Sequence, residues 1–117
     1  MIIPVGIATK NSARTIERCL ASLREQAYPR ERIQLILADG GSTDGTQAIG
    51  ERFGGTIISV PPEKQGAEYN KGYGLQYATG EFILCIDHDN ILPHPNWLTR
   101  MLYPLLHDDT IVAVEPL

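Results

Sequence analysis

The stretch IQLILADGGSTDGT, residues 33–46, decides the fold of this chain. Its first half is a run of aliphatic residues typical of a buried strand. The second half, residues 38–46, holds three glycines, three hydroxyl side chains and two aspartates. Asp44 can cap a following helix, with Gln47 three residues later as in a capping box. We therefore predict a strand, a tight turn and a helix over residues 33–53.

The same change from strand pattern to helix pattern recurs along the whole chain. Short apolar runs alternate with segments whose apolar residues recur at helical spacing. The predicted strands cover residues 2–8, 33–38, 56–60, 81–87 and 110–115, and the predicted helices cover residues 11–26, 46–53, 66–80 and 96–107. Continuously apolar strands in strict alternation with helices predict an α/β fold, a mostly parallel Rossmann-like sheet with helices on both faces.

Capping residues mark the starts of the first and fourth predicted helices. Asn11 or Ser12 can accept a hydrogen bond from the first turn of the first helix. His94 and Pro95 suit the N-cap and first turn of the fourth helix.

Length, charge and cysteine content restrict the class of protein. With 117 residues the chain can form one domain, predicted over residues 1–117, and its net charge of −4 argues against a nucleic-acid partner. Cys19 falls in an apolar helical stripe and Cys85 in an apolar strand, so both are predicted to be buried, unpaired thiols. We find no leader and no apolar run of membrane-spanning length, and we expect a cytoplasmic location.

Polar residues follow the predicted strands at the point where each strand ends. In parallel sheets, ligands bind beyond the carboxyl ends of the strands, where the strand order reverses. The segments concerned are TKN after the first strand, DGGSTD after the second, PPEK after the third and DHDN after the fourth. The sequence therefore predicts a binding site at this edge of the sheet.

The glycine-rich loop after the second strand does not fit two known phosphate-binding motifs. A Walker loop ends in Gly-Lys followed by Ser or Thr, and this loop has no lysine. A dinucleotide fingerprint follows the first strand, where this chain has TKNSAR. A structural turn with a helix cap and a loop that contacts a ligand both remain open.

Asp87 and Asp89 form a second candidate site. In an extended segment residues two apart point the same way, so the two carboxylates can converge on one cation. Mg²⁺ and Mn²⁺ prefer such oxygen ligands and complete their shell with substrate phosphates. The alternative is a turn, because Asp and Asn also favour strand exits. Lys64 and Lys71 lie where a diphosphate would need positive charge, or are solvated side chains.

Taken together, these segments resemble the family 2 glycosyltransferases, which have the GT-A nucleotide-sugar-binding fold. Residues 3–46 are similar to the opening of that family, with its IPTYN start, cLxSLxxQ helix and VDDGSTDGT turn. Residues 74–90, GLQYATGEFILCIDHDN, are similar to its A-x-G-E-hydrophobic-D-x-D segment. The similarity runs from about Ile3 to about Leu98 in the right order and spacing.

The resemblance implies roles for four residues. Thr9, Asp39 and Asp87 would contact the nucleotide, with Asp39 at the base or ribose. Asp87 and Asp89 would hold Mg²⁺ or Mn²⁺ against the diphosphate leaving group, with Asp89 the more direct ligand. The donor would be a nucleotide-diphosphate sugar, and the acceptor a saccharide or a lipid-linked molecule.

The chain departs from the family pattern at two positions. Gly40 stands where the family often has a second Asp or Asn. Gly72 stands where the family frequently has Asn, while Asn70 is offset from that position. We therefore give Asn70 no role on the resemblance.

Family members usually continue into an acceptor site and a general base. Residues 1–117 are therefore expected to be the donor-binding domain of an apparently truncated GT-A enzyme, without its acceptor part. The catalytic base is unassigned, with Asp108 and Asp109 candidates only by default. A non-catalytic nucleotide-binding fragment or assembly module is the alternative, and a nucleotidyltransferase fits TKNSAR poorly. We also expect self-association, with membrane attachment at the inner face only through missing or partner segments.

Overall fold

The computed structural model describes residues 1–63 and 65–116. Within that part of the chain, four strands alternate with four α-helices. The strands are β1 (Ile3–Thr9), β2 (Ile33–Asp39), β3 (Thr56–Ser59) and β4 (Leu84–Cys85), and the helices are α1 (Ala13–Arg24), α2 (Thr46–Arg52), α3 (Ala67–Leu75) and α4 (Trp97–His107). None of the described helices is long and apolar enough to cross a membrane.

The strands form one sheet in the order β3-β2-β1-β4, and every pairing is parallel. β1 and β2 pair over their full length, from Ile3 opposite Ile33 to Thr9 opposite Asp39. The chain moves outward from β1 through β2 to β3 and then crosses to the other side of β1. The strand order therefore reverses between β1 and β4.

The two faces of the sheet carry side chains of different size. Successive residues of a strand point to opposite faces. Large apolar side chains of β1 and β2 join α1 and α4 in the core, namely Ile3, Val5, Ile7, Leu35, Leu37, Ile16, Cys19, Leu20, Leu23, Leu98 and Leu102. The opposite face presents Gly6 and Ala38, which lie against α3. Helices therefore cover both faces, and the predicted fold class is confirmed.

Gly74 lets α3 approach β2 closely, and replacing it with alanine is expected to destabilise the fold by about 2 kcal/mol. A β-carbon there would lie 2.9 Å from the Ala38 β-carbon. The matched control is Gly72→Ala in the same helix, where nothing lies within 4 Å. That change should stabilise by about 0.5–1 kcal/mol, because alanine favours a helix. Urea denaturation measures both, and equal effects would contradict the packing argument.

The sheet is smaller than the sequence predicts. The strand predicted over residues 110–115 is wrong, since residues 111–116 form no regular structure. β4 covers two residues instead of the seven predicted. An apolar, β-branched run becomes a strand only when a neighbouring strand accepts its backbone hydrogen bonds. β4 pairs with β1 alone, and residues 111–116 pair with no strand of the described chain.

Two further local predictions are corrected by the structure. The N-cap of α4 is Asn96 and not His94, so that helix begins after Pro95. The N-cap of α1 is Ser12, one of the two predicted residues, but its side chain makes no cap hydrogen bond. Cys19 is buried, but Cys85 is exposed. Cys85 lies opposite Gly6 on the face that α3 covers, and α3 packs over β1 and β2, which leaves β4 open.

Candidate functional site

A cavity of about 200 Å³ lies at the carboxyl end of β1, beside the point where the strand order reverses. It is lined by Ala8, Thr9, Lys10, Gly66, Ala67, Asn70 and His88. The end of β1, the start of α3 and the turn after β4 therefore enclose it together. This is the edge of the sheet at which the sequence predicts a binding site.

Two larger clefts lie elsewhere on the described chain. One of about 490 Å³ lies at the start of β2, and another of about 310 Å³ lies beside α4. Neither is lined by any of the polar residues that follow the strands. Position and chemistry together, rather than size, identify the cavity at the end of β1 as the candidate site.

Asp39 ends β2, and its carboxylate is bound entirely by this chain's own donors. Oδ1 accepts hydrogen bonds from the hydroxyls of Thr9 (2.7 Å) and Ser42 (2.6 Å). Oδ2 accepts from the backbone N–H groups of Gly41 (3.0 Å) and Ser42 (2.8 Å) and from Nε2 of Gln47 (2.8 Å). The side chain is only 1 % exposed. Asp39 therefore joins the end of β1 to the glycine-rich loop.

These contacts keep Asp39 ionised. Burial raises the pKa of Asp39, but hydrogen bonds from Ser42, Thr9 and Gln47 outweigh it and lower the pKa from 3.8 to about 2. A carboxylate offers about four lone-pair sites, and five donors already share them here. The role of Asp39 and Thr9 in contacting a nucleotide stays a prediction, and a ligand that bound Asp39 directly would displace one of these donors.

Asp44 contacts the start of α1 as well as the start of α2, the helix that it is predicted to cap. Its Oδ2 accepts from the N–H of Ala13 in α1 (3.0 Å), and its Oδ1 accepts from the N–H and hydroxyl of Thr46. Gln47 donates to Asp39 and does not close a capping box. The N-cap of α2 is Gly45, with φ of 94°. The predicted capping box is therefore wrong, and Asp44 ties the starts of α1 and α2 together.

Asn11 strengthens this connection between the first two loops, and sequence reasoning gave it only a capping role. Its N–H donates to the hydroxyl of Ser42 (2.8 Å), and its Oδ1 accepts from the N–H of Thr43 (2.8 Å). The N–H of Ser12 donates to the hydroxyl of Thr46 (2.8 Å). Asn11 has φ of 50°, a conformation that asparagine tolerates better than most residues. In the sequence, the signal for this role is an asparagine two residues after the end of β1.

The DHDN segment is a turn and not the extended segment that the alternation argument assumed. The N–H of Asn90 donates to the carbonyl of Asp87 (3.0 Å), and the N–H of Asp87 donates to Oδ1 of Asn90 (2.7 Å). Aspartate and asparagine favour such local hydrogen bonds at strand exits. The carboxylates of Asp87 and Asp89 are therefore not aligned by strand geometry, and their role as metal ligands stays a prediction.

The two aspartates of this turn have different surroundings. Oδ1 of Asp87 lies 2.7 Å from Nζ of Lys71, whose side chain is only 16 % exposed. The hydrogen bond to Asp87 raises the pKa of Lys71, so its ammonium group is charged. Within the described residues the carboxylate of Asp89 makes no hydrogen bond or ion pair. Asp89 is exposed and available to a ligand.

His88 turns toward α1 between the two aspartates. Its Nδ1 lies 2.7 Å from the hydroxyl of Thr15, and its ring lines the cavity. Of the other candidates, Asp108 follows α4 and accepts hydrogen bonds from Thr110. Lys64, a candidate for binding a diphosphate, lies outside the described residues. Lys71 is thus the one predicted phosphate-binding lysine whose position the structure describes.

Comparison with known proteins places this geometry in a family. The family model described as glycosyl transferase family 2 matches residues 5–116. The chain belongs to that family. It is 32 % identical over 102 residues to glycosyltransferase AglE of Haloferax volcanii, which covers 84 % of this chain and 33 % of AglE. It is 30 % identical over 117 residues to glycosyltransferase GlyG of Streptococcus pneumoniae, covering 97 % of this chain and 38 % of GlyG.

Solved structures of family 2 glycosyltransferases share the fold. The mannosyltransferase PcManGT from Pyrobaculum calidifontis, in complex with GDP-Man and Mn²⁺, matches with a TM-score of 0.82 and 28 % identity. The match covers 93 % of this chain and 33 % of that one. TarS of Staphylococcus aureus, in complex with UDP-GlcNAc, matches with a TM-score of 0.78 and 25 % identity, over 88 % and 31 % of the two chains. The chain thus spans about a third of the length of these relatives.

Proposed function

We propose that this chain is the donor-binding domain of a glycosyltransferase that uses a nucleotide-diphosphate sugar. The observation that carries the proposal is the cavity at the end of β1, which borders the turn with Asp87 and Asp89. Two solved relatives that match 88 % and 93 % of this chain are complexes with UDP-GlcNAc and with GDP-Man and Mn²⁺, respectively. The cavity is where a nucleoside would bind, and the turn is where the diphosphate would follow.

Asp87 and Asp89 suit a divalent ion of the magnesium type. Mg²⁺ is usually held by one or two carboxylates, several waters and the substrate phosphates rather than by a full set of protein ligands. No group of three or more acidic, histidine or cysteine ligands occurs in the described residues, which is consistent with that arrangement. When bound, Mg²⁺ or Mn²⁺ would neutralise charge on the diphosphate leaving group.

Lys71 has a defined part in this proposal. Its ammonium group balances the charge of Asp87, so the first carboxylate of the turn is held in place before any ligand arrives. The same ammonium is close enough to the turn to attract a diphosphate. Among residues 1–63 and 65–116 Asp89 has no such partner, and it would make the more direct metal bond.

Acceptor and location belong to the proposal as well. The acceptor would be a saccharide or a lipid-linked molecule, and a nucleic-acid partner is disfavoured by the net charge of −4. Within the part of the chain that the structure describes, neither Asp108 nor Asp109 makes a contact that supports a role as general base. A cytoplasmic location stays a prediction.

Calorimetry tests the proposed function directly. UDP and GDP are titrated into the chain with Mn²⁺ and again with a chelator. Metal-dependent binding of at least one nucleotide is the expected result, and absence of binding with Mn²⁺ would overturn the proposal. A parallel assay of sugar transfer and donor hydrolysis separates an active enzyme from a non-catalytic nucleotide-binding fragment, which would bind without turnover.

We also expect this chain to self-associate through the open side of β4. Ile83 is 48 % exposed and Val112 is 89 % exposed, both line the cleft beside α4, and no described strand pairs with the outer edge of β4. Exposed apolar side chains beside an unpaired strand edge favour association. Light scattering should show a mass that rises with concentration and falls again in Val112→Asp. A constant monomer mass at high concentration would contradict this prediction.

A further inference from the structure

Two carboxamides occupy the space beside Gly40, the position where the family often has a second Asp or Asn. A β-carbon on Gly40 would lie 2.3 Å from Oε1 of Gln65 and 3.1 Å from Nδ2 of Asn70. No side chain at position 40 fits while Gln65 stays in place. The chain therefore brings two amide groups, from Gln65 before α3 and from Asn70 in α3, to the space beside the position where the family often has an acidic residue.

Asn70 is the one of the two that reaches the cavity. It is only 4 % exposed and lines the cavity together with Thr9 and Ala67. A buried polar side chain in a ligand-sized cavity is the kind of group that fixes a ligand's orientation. Asp39, by contrast, is already bound by five donors of its own chain.

Gln65 fixes which way round the Asn70 amide lies. Nε2 of Gln65 donates to the backbone carbonyls of Val60 (3.1 Å) and Pro61 (2.8 Å), which can only accept. Its Oε1 then accepts from Nδ2 of Asn70 (3.2 Å), and Oδ1 of Asn70 accepts from the N–H of Gly66 (3.3 Å). If the Asn70 amide were reversed, its Oδ1 would face Oε1 of Gln65 and its Nδ2 would face the N–H of Gly66, so both hydrogen bonds would be lost.

The fixed amide retains one donor and one acceptor. A carboxamide has two N–H groups and two oxygen lone pairs, and the contacts to Gln65 and Gly66 use one of each. One N–H and one lone pair are left for a ligand. That pair matches the edge of a nucleobase, where a hydrogen-bond donor and an acceptor are adjacent.

We propose that Asn70, oriented by Gln65, is the residue that reads the base of the nucleotide donor. This inference rests on the proposed function. At two adjacent positions on the edge of the base, uracil has a donor and an acceptor where cytosine has an acceptor and a donor. Guanine and adenine differ in the same way. An amide of fixed polarity pairs with only one member of each couple when the ribose and phosphates are held in one place. Asn70 therefore selects between the members of such a couple.

The test compares the dissociation constants of UDP, CDP, GDP and ADP in the presence of Mn²⁺. The wild-type chain is expected to prefer one member of a couple by at least about tenfold, since one mismatched hydrogen bond changes affinity by about that factor. Asn70→Ala should reduce the preference to less than about threefold. Gln65→Leu should weaken the preference, because only the N–H of Gly66 then holds the Asn70 amide in place.

Gln76→Ala is the matched control, since its side chain lies at the end of α3 and bonds the carbonyl of Tyr73. It should leave the base preference unchanged. Circular dichroism confirms that each variant is folded, and the half-buried Gln65 provides a second variant if Asn70→Ala unfolds. Nucleotide binding with an unchanged preference in the folded variants would overturn this inference alone. Absence of any nucleotide binding by the wild type would overturn the proposed function and this inference with it.

Discussion

Replacing Asp39 with alanine is expected to lower the free energy of unfolding by about 4 kcal/mol. The change removes the common acceptor of five hydrogen bonds, two of them from the backbone N–H groups of Gly41 and Ser42. Buried donors that lose their acceptor each cost about 1–3 kcal/mol, and part of this is recovered when side chains turn to water. Chemical denaturation of wild type and variant measures the difference.

The pH dependence of that difference identifies the carboxylate as its cause. The folded-state pKa of Asp39, about 2, lies below its ordinary value of 3.8. Stabilisation by the ionised group is therefore complete above about pH 4 and is lost as the pH falls toward 2. The difference in the free energy of unfolding between wild type and Asp39→Ala should therefore become smaller as the pH falls from about 4 to about 2.

Asp109→Ala is the matched control for the Asp39 prediction, because it removes an exposed carboxylate that follows α4. It should change the stability by less than about 0.5 kcal/mol. A destabilisation of Asp39→Ala no larger than that of the control would show that the hydrogen-bond network does not hold the loop.

Replacing Asp89 with alanine is expected to weaken the metal-dependent part of nucleotide binding by about a hundredfold, while the fold keeps its stability. Asp89 is exposed, and its carboxylate has no hydrogen bond or ion pair within the described residues. Its loss therefore breaks no internal contact. Calorimetry with UDP or GDP, in the presence of Mn²⁺ and of a chelator, gives the two parts separately.

Asp87→Ala provides the contrast for Asp89→Ala. Oδ1 of Asp87 pairs with Nζ of Lys71, so the variant should lose some stability as well as metal-dependent binding. Asp109→Ala should leave both the stability and the metal-dependent nucleotide binding unchanged. Metal-dependent binding that survives in Asp89→Ala would show that the ion is held elsewhere.

The sequence sufficed for the fold because the signals that decide it are local. Continuous apolar strands, a change to helical spacing after each of them and polar residues at every strand exit follow from the chain itself. They lead to a parallel sheet with its ligands at one edge. Asp39 and the DHDN turn are prominent for the same reason, since each directly ends an apolar run.

The remaining features depend on partners that are distant in the sequence. Residues 110–115 have the composition of a strand, yet a strand needs a neighbour, which no local pattern specifies. The alternation pattern predicts an extended segment at Asp87 and Asp89. The hydrogen bond from the N–H of Asp87 to Asn90 forms a turn instead, and the strand pattern gives no sign of it. The contact of Gln65 with Asn70 beside Gly40 likewise arises from packing of α3 against the sheet.

The interlocked loops at the starts of α1 and α2 have a dynamic consequence. Asp44, from the loop after β2, accepts the N–H of Ala13 at the start of α1, and Thr46, the first residue of α2, accepts the N–H of Ser12. Asn11, from the loop after β1, accepts the N–H of Thr43. Neither loop can open without exposing donors of the other. The rim of the site on this side therefore fluctuates as one cooperative unit, and its rigidity is shared between two segments that are about thirty residues apart in the chain.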